Sequence, residues 1–295
     1  MTENKIGVLG LGAIGGGVAR RLLKSGFKVT VYDIDNKKVD ELESLGAERA
    51  KNIEGLFNAV EYLFSSLPND DVILSAIKNC DEKVLKKSKT TLIELSTISP
   101  EAMKEIDVYF KNSSVNVVDC PISGGPLEAG NGMLNLIVAG KKAVVNECSE
   151  LFECVSTNYI YVGDEIGSAK AIKLINNIMT LGNILVASEA FASGVSYGLD
   201  QKVLFDTLSQ TGGKSHHFIK RFPKVISNDY SPWFPIDLGI KDLNLALKWA
   251  DNQSIKLKVT EFIKSQYESA ANNGLGKKDI VSLTKMFNEK FGIDE

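Results

Sequence analysis

The stretch Ile6-Gly-Val-Leu-Gly10-Leu-Gly12-Ala-Ile-Gly15 decides the fold of the first half of the chain. It places the pattern Gly-x-Gly-x-x-Gly between an apolar run typical of a strand and a stretch with helical spacing. Gly10 permits a tight turn, Gly12 lets the backbone approach a pyrophosphate, and Gly15 allows close packing of helix on strand. The first helical turn also offers unpaired N–H groups to phosphates. The stretch predicts a dinucleotide-binding strand–turn–helix rather than a structural Gly-rich turn.

An acidic residue follows the next predicted strand. Asp33 ends Val31-Tyr-Asp33 and lies about 20 residues beyond the glycines, the spacing expected for a ribose-binding carboxylate. Its carboxylate can accept hydrogen bonds from a ribose hydroxyl, and it would repel a 2′-phosphate. Asp33 therefore favours NAD over NADP. Gly16 and Gly17 continue the glycine run into the helix, where close approach to the cofactor would explain them; loose packing is the alternative.

Short β-rich runs alternate with helical stretches up to residue 163, which indicates an α/β domain with a parallel sheet covered on both faces. Helical spacing is clear over 15–25 and 36–45. The predicted strands are 6–9, 28–32, 62–65, 91–95, 116–119, 134–139 and 159–162.

The strand pattern stops after Gly163, and the rest of the chain has helical spacing. One long helix is predicted over about 167–194, followed by helices over 202–210, 236–251, 258–272 and 279–291. We therefore predict a Rossmann-type N-terminal domain over residues 1–163 and an all-α C-terminal domain over residues 164–295, joined by the long interdomain helix.

Composition excludes several classes of function. The 295 residues are 44% hydrophobic and 24% charged with a net charge of −3, and the longest basic run has two residues, so neither nucleic acid nor anionic lipid is an expected partner. Four cysteines without a CxxC pair and two adjacent histidines make a metal site unexpected. A strand begins near the N-terminus, and the apolar stretch 174–187 falls short of the ~20 residues that span a bilayer. A cytoplasmic protein is expected.

Three further segments carry polar groups of potential chemical use. Asp119-Cys-Pro-Ile-Ser-Gly-Gly125 follows a strand and could hold a substrate carboxylate on its N–H groups, or serve as a structural turn. Lys173 and Asn177 share one face of the long helix. Enclosure would lower the pKa of such a lysine towards a range useful for proton transfer, whereas a lysine reaching solvent is the alternative. Lys170, one turn earlier, is predicted to face solvent.

The third segment is Lys241-Asp242, on a predicted helix with apolar spacing. Neighbouring residues on a helix point in different directions, so Lys241 could face a cleft while Asp242 pairs elsewhere. The adjacent His216 and His217 follow a polar stretch and are interpreted as surface or helix-start residues.

Four of these motifs occur together in one order and spacing. They are Gly10-Leu-Gly-Ala-Ile-Gly15, Asp119-Cys-Pro-Ile-Ser-Gly-Gly125, Lys173-Leu-Ile-Asn-Asn177 and Lys241-Asp-Leu243. In this respect the whole chain resembles the β-hydroxyacid dehydrogenases, the 3-hydroxyisobutyrate dehydrogenase family. The sequence departs from the family pattern at Ile14, where Met is frequent, and at Ala169, where Gly is frequent.

The resemblance implies a role for each matching residue. Lys173 would be the catalytic acid/base, with Asn177 positioning lysine and substrate and Phe234 lining the substrate site. Ser123, Gly124 and Gly125 would hold the substrate carboxylate. The cofactor, NAD in preference to NADP, would contact Gly10, Leu11, Gly12, Ala13, Ile14, Gly15, Asp33, Leu67, Pro68 and Thr97, with Lys241 closing over it from the helical domain.

The implied reaction is hydride transfer between nicotinamide and a small 3-hydroxy acid or semialdehyde. The resemblance further implies a homodimer or homotetramer formed through the helical domain. The alternative is a protein that binds NAD without catalysis, but such a protein would not need Lys173 and Asn177. The sequence leaves the particular substrate open.

Overall fold

The computed structural model describes residues 5–85 and 87–293, and the chain forms two compact units that meet at 173/174. Within the described residues, the N-terminal unit contains nine strands in one sheet. They are β1 (Lys5–Leu9), β2 (Lys28–Tyr32), β3 (Glu48–Arg49), β4 (Tyr62–Ser65), β5 (Thr91–Glu94), β6 (Asn116–Asp119), β7 (Ile122–Ser123), β8 (Leu134–Ala139) and β9 (Ser156–Gly163).

Nine helices connect these strands. They are α1 (Ala13–Lys24), α2 (Asn36–Ser44), α3 (Ile53–Ala59), α4 (Asp70–Lys78), α5 (Glu82–Leu85), α6 (Pro100–Phe110), α7 (Pro126–Asn131), α8 (Lys142–Glu147) and α9 (Ser149–Val155) among the described residues. The remaining helices are α10 (Ser168–Ser196), α11 (Gln201–Leu208), α12 (His216–Ile226), α13 (Ile236–Asn252), α14 (Lys258–Ala270) and α15 (Leu283–Lys290), with single turns at Ala271–Leu275 and Ile280–Ser282.

The sheet has the order β3-β2-β1-β4-β5-β6-β8-β7, with β9 beside β8. The strands from β3 to β6 pair in parallel, as predicted. β8 pairs antiparallel with β6 and β7, which was not predicted. The connection from Ser123 to Leu134 is shorter than the crossover of about a dozen residues that a parallel pair requires. The strand order reverses between β1 and β4, where α/β sheets place their ligands.

Apolar clusters cover both faces of the sheet. Ile6 and Val8 pack into one cluster, whereas Leu9 and Leu63 belong to a second cluster on the opposite face. This alternation follows from the two-residue period of a strand. The C-terminal unit has its own apolar core, in which Leu181, Phe222 and Tyr267 are fully buried or nearly so.

The prediction of an α/β domain followed by a helical domain is confirmed, with differences in detail. The predicted domain boundary falls at the end of β9, whereas the compact units divide ten residues later, because the first turn of α10 is hydrogen-bonded to β5 and β6. Helix α12 was not predicted beyond its first residues, since Pro223 lies inside that helix and interrupts the helical pattern.

Gly17 has a packing role rather than the cofactor role expected for it. A Cβ at this position would lie 2.8 Å from the Cβ of Ala129, so its glycine lets α1 and α7 approach closely. Gly16 is buried inside the same helix.

By length and composition alone, α10 could cross a membrane, since its most apolar window has a mean hydropathy of 1.4. The expectation that this stretch falls short was therefore wrong, because the apolar character extends beyond 174–187. Core helices of soluble proteins pass the same test. α10 also carries buried polar residues along its length, among them Lys170, Asn177 and Ser188.

All four cysteines are free thiols, and they differ in accessibility. Cys80, Cys120 and Cys148 are buried, and burial raises the pKa of Cys80 to about 11 and that of Cys148 to about 12. Burial also holds the pKa of Cys120 well above its ordinary value. Cys154 is partly exposed.

We expect one thiol to react rapidly with a disulfide reagent at pH 8 in the native protein and four to react after denaturation. The thiolate is the reactive form, so both burial and the raised pKa slow the other three. The Cys154→Ser variant should lose the rapid phase. Two or more rapid thiols in the native wild-type protein would contradict this assignment.

Candidate active site

The glycine turn joins β1 to α1 at the carboxyl end of the sheet. Gly10 has a φ of +84°, and a Cβ at Gly15 would lie 1.9 Å from the carbonyl oxygen of Gly10. Only glycine fits either position. A Cβ at Gly12, by contrast, would meet no atom within 4 Å. Gly12 therefore borders open space in front of a helix whose first turn has neither a side-chain cap nor an acidic residue, a suitable site for a phosphate.

Asp33 accepts two backbone hydrogen bonds, one of them from this turn. Its Oδ2 accepts from the N–H of Leu11 at 2.6 Å, and its Oδ1 accepts from the N–H of Asp35 at 2.8 Å. The carboxylate thus fixes the backbone of the turn while remaining partly exposed. The link between β2 and the turn was not apparent from the sequence.

A cavity of about 480 Å³ opens beside Asp33. Its lining includes two basic residues, Arg49 and Lys51. The guanidinium of Arg49 is hydrogen-bonded to Glu43 and Asp40. These two hydrogen bonds, the one with Glu43 contributing more, raise the pKa of Arg49 above its ordinary value. The positive charge of Arg49 is therefore already shared with two carboxylates.

The loops after β4 and β5 lie next to each other. Leu67 donates its N–H to the Oγ of Ser96 at 2.8 Å, which fixes the spacing of the two loops. Leu67 and Thr97 are partly exposed and Pro68 is exposed. Because β1, β4 and β5 are adjacent and parallel, these residues lie on the same sheet edge as the glycine turn.

The Ser123–Gly125 turn connects β7 to α7. Gly124 has a φ of +139° and is exposed. The N–H of Gly125 donates to the Oε2 of Glu128 at 2.8 Å, so a carboxylate of the protein already occupies this amide. The Ser123 hydroxyl and the Gly124 amide are the donors that the turn can direct at a ligand.

The start of α10 carries two lysines, and both are buried. Lys173 is 8% exposed and Lys170 is completely buried. The prediction that Lys170 faces solvent was wrong. Its partners are the terminal residues of β5 and β6, far away in sequence, and no local pattern indicated them.

Lys170 lies in a buried cluster with two carboxylates. Its Nζ is 2.7 Å from Oε2 of Glu94 and 3.4 Å from Oδ1 of Asp119, and it donates to the carbonyl of Glu94 at 2.9 Å. Burial alone would lower the pKa of Lys170, but attraction from Glu94 and Asp119 outweighs it and the pKa is raised. Burial raises the pKa of Asp119 despite the attraction of Lys170.

In the C-terminal unit, Asn177 and Lys241 meet at Asp242. Asn177 donates its Nδ2 hydrogen to Oδ2 of Asp242 at 2.6 Å, and Nζ of Lys241 is 3.0 Å from Oδ1 of the same carboxylate. Asp242 is 4% exposed. Asp242 pairs elsewhere as expected, with Asn177, but the long side chain of Lys241 also folds back onto this carboxylate. Sequence reasoning missed Asp242 as the anchor of Asn177.

Phe234 and the histidines occupy the same unit. Phe234 is partly buried against the apolar core, and its N–H donates to Oδ2 of Asp279 at 3.0 Å. α12 begins at His216, as the helix-start interpretation predicted. Nε2 of His217 lies 3.0 Å from Oγ1 of Thr180, one turn along α10 from Asn177.

Comparison with known proteins covers almost the whole chain. A family model described as the NAD binding domain of 6-phosphogluconate dehydrogenase matches residues 5–163. A second, described as NAD-binding of NADP-dependent 3-hydroxyisobutyrate dehydrogenase, matches residues 167–287.

Curated relatives match at similar levels. The chain is 28% identical over 292 residues to 2-(hydroxymethyl)glutarate dehydrogenase of Eubacterium barkeri, covering 98% of this chain and 96% of the relative. It is 29% identical to the mitochondrial 3-hydroxyisobutyrate dehydrogenase of Drosophila melanogaster, covering 98% and 91%. A solved 3-hydroxyisobutyrate dehydrogenase from Salmonella typhimurium has a TM-score of 0.84 at 26% identity, covering 96% of this chain and 100% of that one.

The fold and these matches define an NAD(P)-dependent oxidoreductase that acts on a hydroxyl-bearing carbon. The chain belongs to the β-hydroxyacid dehydrogenase family, which confirms the resemblance inferred from its motifs. The relatives support catalysis and give no support to a cofactor-binding protein without activity.

Substitutions at two glycines of the turn should affect different properties, NAD binding in one case and thermal stability in the other. We expect Gly12→Ala to melt within a few degrees of wild type but to bind NAD at least 10-fold more weakly, because its methyl group enters the space in front of α1. Gly15→Ala should lower the melting temperature strongly, since its methyl group would collide with the Gly10 carbonyl.

Calorimetric titration with NAD and thermal melts measure the two effects. Gly212→Ala, at an exposed position where a Cβ would meet no atom within 4 Å, is the control for a substitution remote from the turn. Undiminished NAD affinity in Gly12→Ala would contradict the proposed phosphate position.

Proposed function

We propose that the protein transfers a hydride between NAD and a small 3-hydroxy acid or semialdehyde, with Lys173 as the general acid/base. The observation that carries this proposal is the location of Lys173. It is almost fully buried, on the helical turn that Glu94 and Asp119 hold at the sheet edge carrying the glycine turn. A lysine with so little exposure is costly unless its ammonium group has polar partners, which a substrate hydroxyl could join.

The residues present fit a dinucleotide. Gly12 leaves room for the pyrophosphate, and the open first turn of α1 supplies N–H donors to it. Gly10, Leu11, Ala13, Ile14 and Gly15 complete the turn, while Leu67, Pro68 and Thr97 would contact the nicotinamide half and Lys241 would close over it. When bound, the cofactor supplies a carbon that accepts or donates a hydride.

Asp33 and its surroundings support NAD as the cofactor. A carboxylate beside the ribose repels a 2′-phosphate, and the charge of Arg49 is shared with Glu43 and Asp40. NADP is the second candidate, since one similar solved structure is titled as a complex with NADP+.

In the proposed mechanism Lys173 handles the proton. In the oxidation direction its neutral amine removes the proton from the substrate hydroxyl as the hydride departs, and in reduction its ammonium protonates the developing alkoxide. Such help is worth about 10²–10⁴-fold. The Ser123 hydroxyl and the Gly124 amide would hold the substrate carboxylate beside Gly125. Asn177, anchored by Asp242, would orient the substrate, with Phe234 lining its site.

The substrate class follows from the shared chemistry of the relatives. They are named for 2-(hydroxymethyl)glutarate, 3-hydroxyisobutyrate, L-serine and L-threonate. Each is an acid with an oxidisable hydroxyl group. We extend this substrate class to the present chain.

We further propose that the NAD-binding domain ends at residue 163 and the helical domain begins at residue 164. The helical domain would form a homodimer or homotetramer, and the protein would be cytoplasmic.

Lys173→Ala should lower kcat by at least 10²-fold and change the dissociation constant of NAD by less than threefold. The reason is that the variant removes the proton carrier and leaves the glycine turn intact. Steady-state rates of NADH formation, together with calorimetric titration of NAD, test both parts. Lys248→Ala on the exposed face of α13 is the control. Undiminished turnover in Lys173→Ala would rule out the mechanism.

A substrate panel tests the cofactor and the substrate class together. We expect a higher kcat/KM with NAD than with NADP on at least one 3-hydroxy acid or short semialdehyde. Asp33→Asn keeps an oxygen acceptor for the Leu11 amide and removes the charge, so it should shift the NAD/NADP ratio towards NADP at least 10-fold. Glu48→Gln, an exposed neutralisation on β3, should leave the ratio unchanged. A wild-type preference for NADP would contradict the assignment.

A further inference from the structure

Lys170 has no part in the proton transfer described above, yet it is among the most completely buried side chains of the N-terminal unit. Its Nζ contacts Glu94 through Oε2 at 2.7 Å and through the backbone carbonyl at 2.9 Å. Asp119 approaches the same ammonium at 3.4 Å. Both carboxylates are also completely buried, so water does not screen the charges of the cluster.

The start of α10 supplies further positive potential to this cluster. The amides of Gly167 and Lys170 donate to Oδ2 of Asp119 at 2.9 and 3.4 Å. A helix N-terminus carries a partial positive charge, which offsets the excess of one carboxylate over the single ammonium. Asp119, at the end of β6, thus binds the backbone at the start of α10. The side chain of Lys170 binds the same helical turn to the ends of the adjacent strands β5 and β6.

A cluster of this kind is a poor source of stability. Desolvation of buried ions offsets most of their attraction, and well-packed apolar residues of similar volume commonly stabilise a fold as well or better. What a buried ion pair provides instead is a defined geometry, because each charged group must keep its partners.

The same cluster extends to the loops after β4 and β5. The second oxygen of Glu94, Oε1, accepts from the N–H of Ser96 at 3.1 Å and from its hydroxyl. The hydroxyl oxygen of Ser96 in turn accepts from the N–H of Leu67 at 2.8 Å. An ion pair and two successive hydrogen-bonded contacts therefore connect the ammonium of Lys170, through Glu94 and Ser96, to the backbone of Leu67.

Lys173 follows Lys170 by three residues on α10. Three residues of an α-helix advance by about 4.5 Å, so Lys173 is on the turn that Lys170 anchors. The cluster thus connects the element carrying the proposed acid/base to a loop proposed to contact the cofactor.

We propose that Lys170 is a positioning residue: with Glu94, Asp119 and Ser96, it fixes the first turn of α10 relative to the loops at Leu67 and Ser96. Without it, Lys173 would sample several positions relative to the reacting carbon. This inference rests on the proposed function for its kinetic consequence. Its structural consequence, a rigid first turn of α10, stands independently.

The test is the double variant Lys170→Met/Glu94→Gln. It removes one positive and one negative charge, so the net charge of the cluster is unchanged. The glutamine that replaces Glu94 retains Oε1 as an acceptor for Ser96, and the methionine that replaces Lys170 is close to lysine in shape. The matched control, Lys104→Met/Glu165→Gln, makes the same change in an exposed ion pair at the approach to α10, where Nζ and Oε1 are 3.1 Å apart.

We expect the cluster variant to remain folded at a lowered melting temperature, because Asp119 stays buried without its ammonium partner. It should keep the KM for NAD within about threefold and lose at least 10-fold in kcat. The acidic limb of its pH profile should also shift, because Lys173 changes its surroundings. The control should match wild type in all four measurements. A cluster variant with wild-type melting temperature, kcat and pH profile would overturn the proposal.

Hydrogen exchange gives a readout that needs no turnover. Amides 167–173 should exchange at least 10-fold faster in the cluster variant and at wild-type rates in the control. If wild type oxidises no substrate in the panel, the proposed function fails, while the exchange rates still decide this inference. Unchanged exchange at 167–173 would overturn it.

Ser96→Ala provides a second test should the cluster variant fail to fold. This variant keeps the ion pair and the Ser96 amide bond to Glu94, and it removes the two hydrogen bonds of the hydroxyl, to Glu94 and from Leu67. We expect the dissociation constant of NAD, measured by calorimetry, to rise at least fivefold and amide 67 to exchange faster. Wild-type NAD affinity together with wild-type exchange at amide 67 would overturn the proposed connection.

Discussion

The approach of α1 to the end of β1 is the constraint on which the N-terminal unit depends. The backbone of Gly15 comes so close to the Gly10 carbonyl that a Cβ would lie 1.9 Å from it. No adjustment of a neighbouring side chain can relieve a collision with backbone. The turn therefore has one arrangement, in which α1 points its N-terminus across the sheet edge. Asp33 reinforces that arrangement from β2 through the Leu11 amide.

Local patterns were sufficient for much of the fold. Apolar runs located the long strands, and glycine spacing located the turn, because both signals depend on neighbouring residues alone. The two-residue strands β3 and β7 were missed, since two residues are too few for a period to be visible. The antiparallel pairing of β8 was missed as well, because pairing direction depends on the length of the intervening connection.

The candidate site was predictable only in part, for a related reason. Motifs identified Lys173, Asn177 and Ser123, whose neighbours in sequence give them their character. They did not reveal Glu94, and they gave no partners for Asp119 and Asp242 although both lie within the motifs, because these residues act through partners on other elements. Lys170 was assigned to solvent because a lysine is seldom fully buried unless it is paired, and no pairing was visible in the sequence. Its two carboxylates come from strands that end 76 and 51 residues earlier.

The captured guanidinium of Arg49 has a consequence for changing the coenzyme. A 2′-phosphate would need a positive partner in the cavity beside Asp33, and Arg49 is well placed to line it. Asp40 and Glu43 pair with it at the surface, however, and both would compete with the phosphate for its charge. Redesign towards the phosphorylated coenzyme would thus require changes at three acidic positions, one proposed to contact the ribose and two behind the arginine.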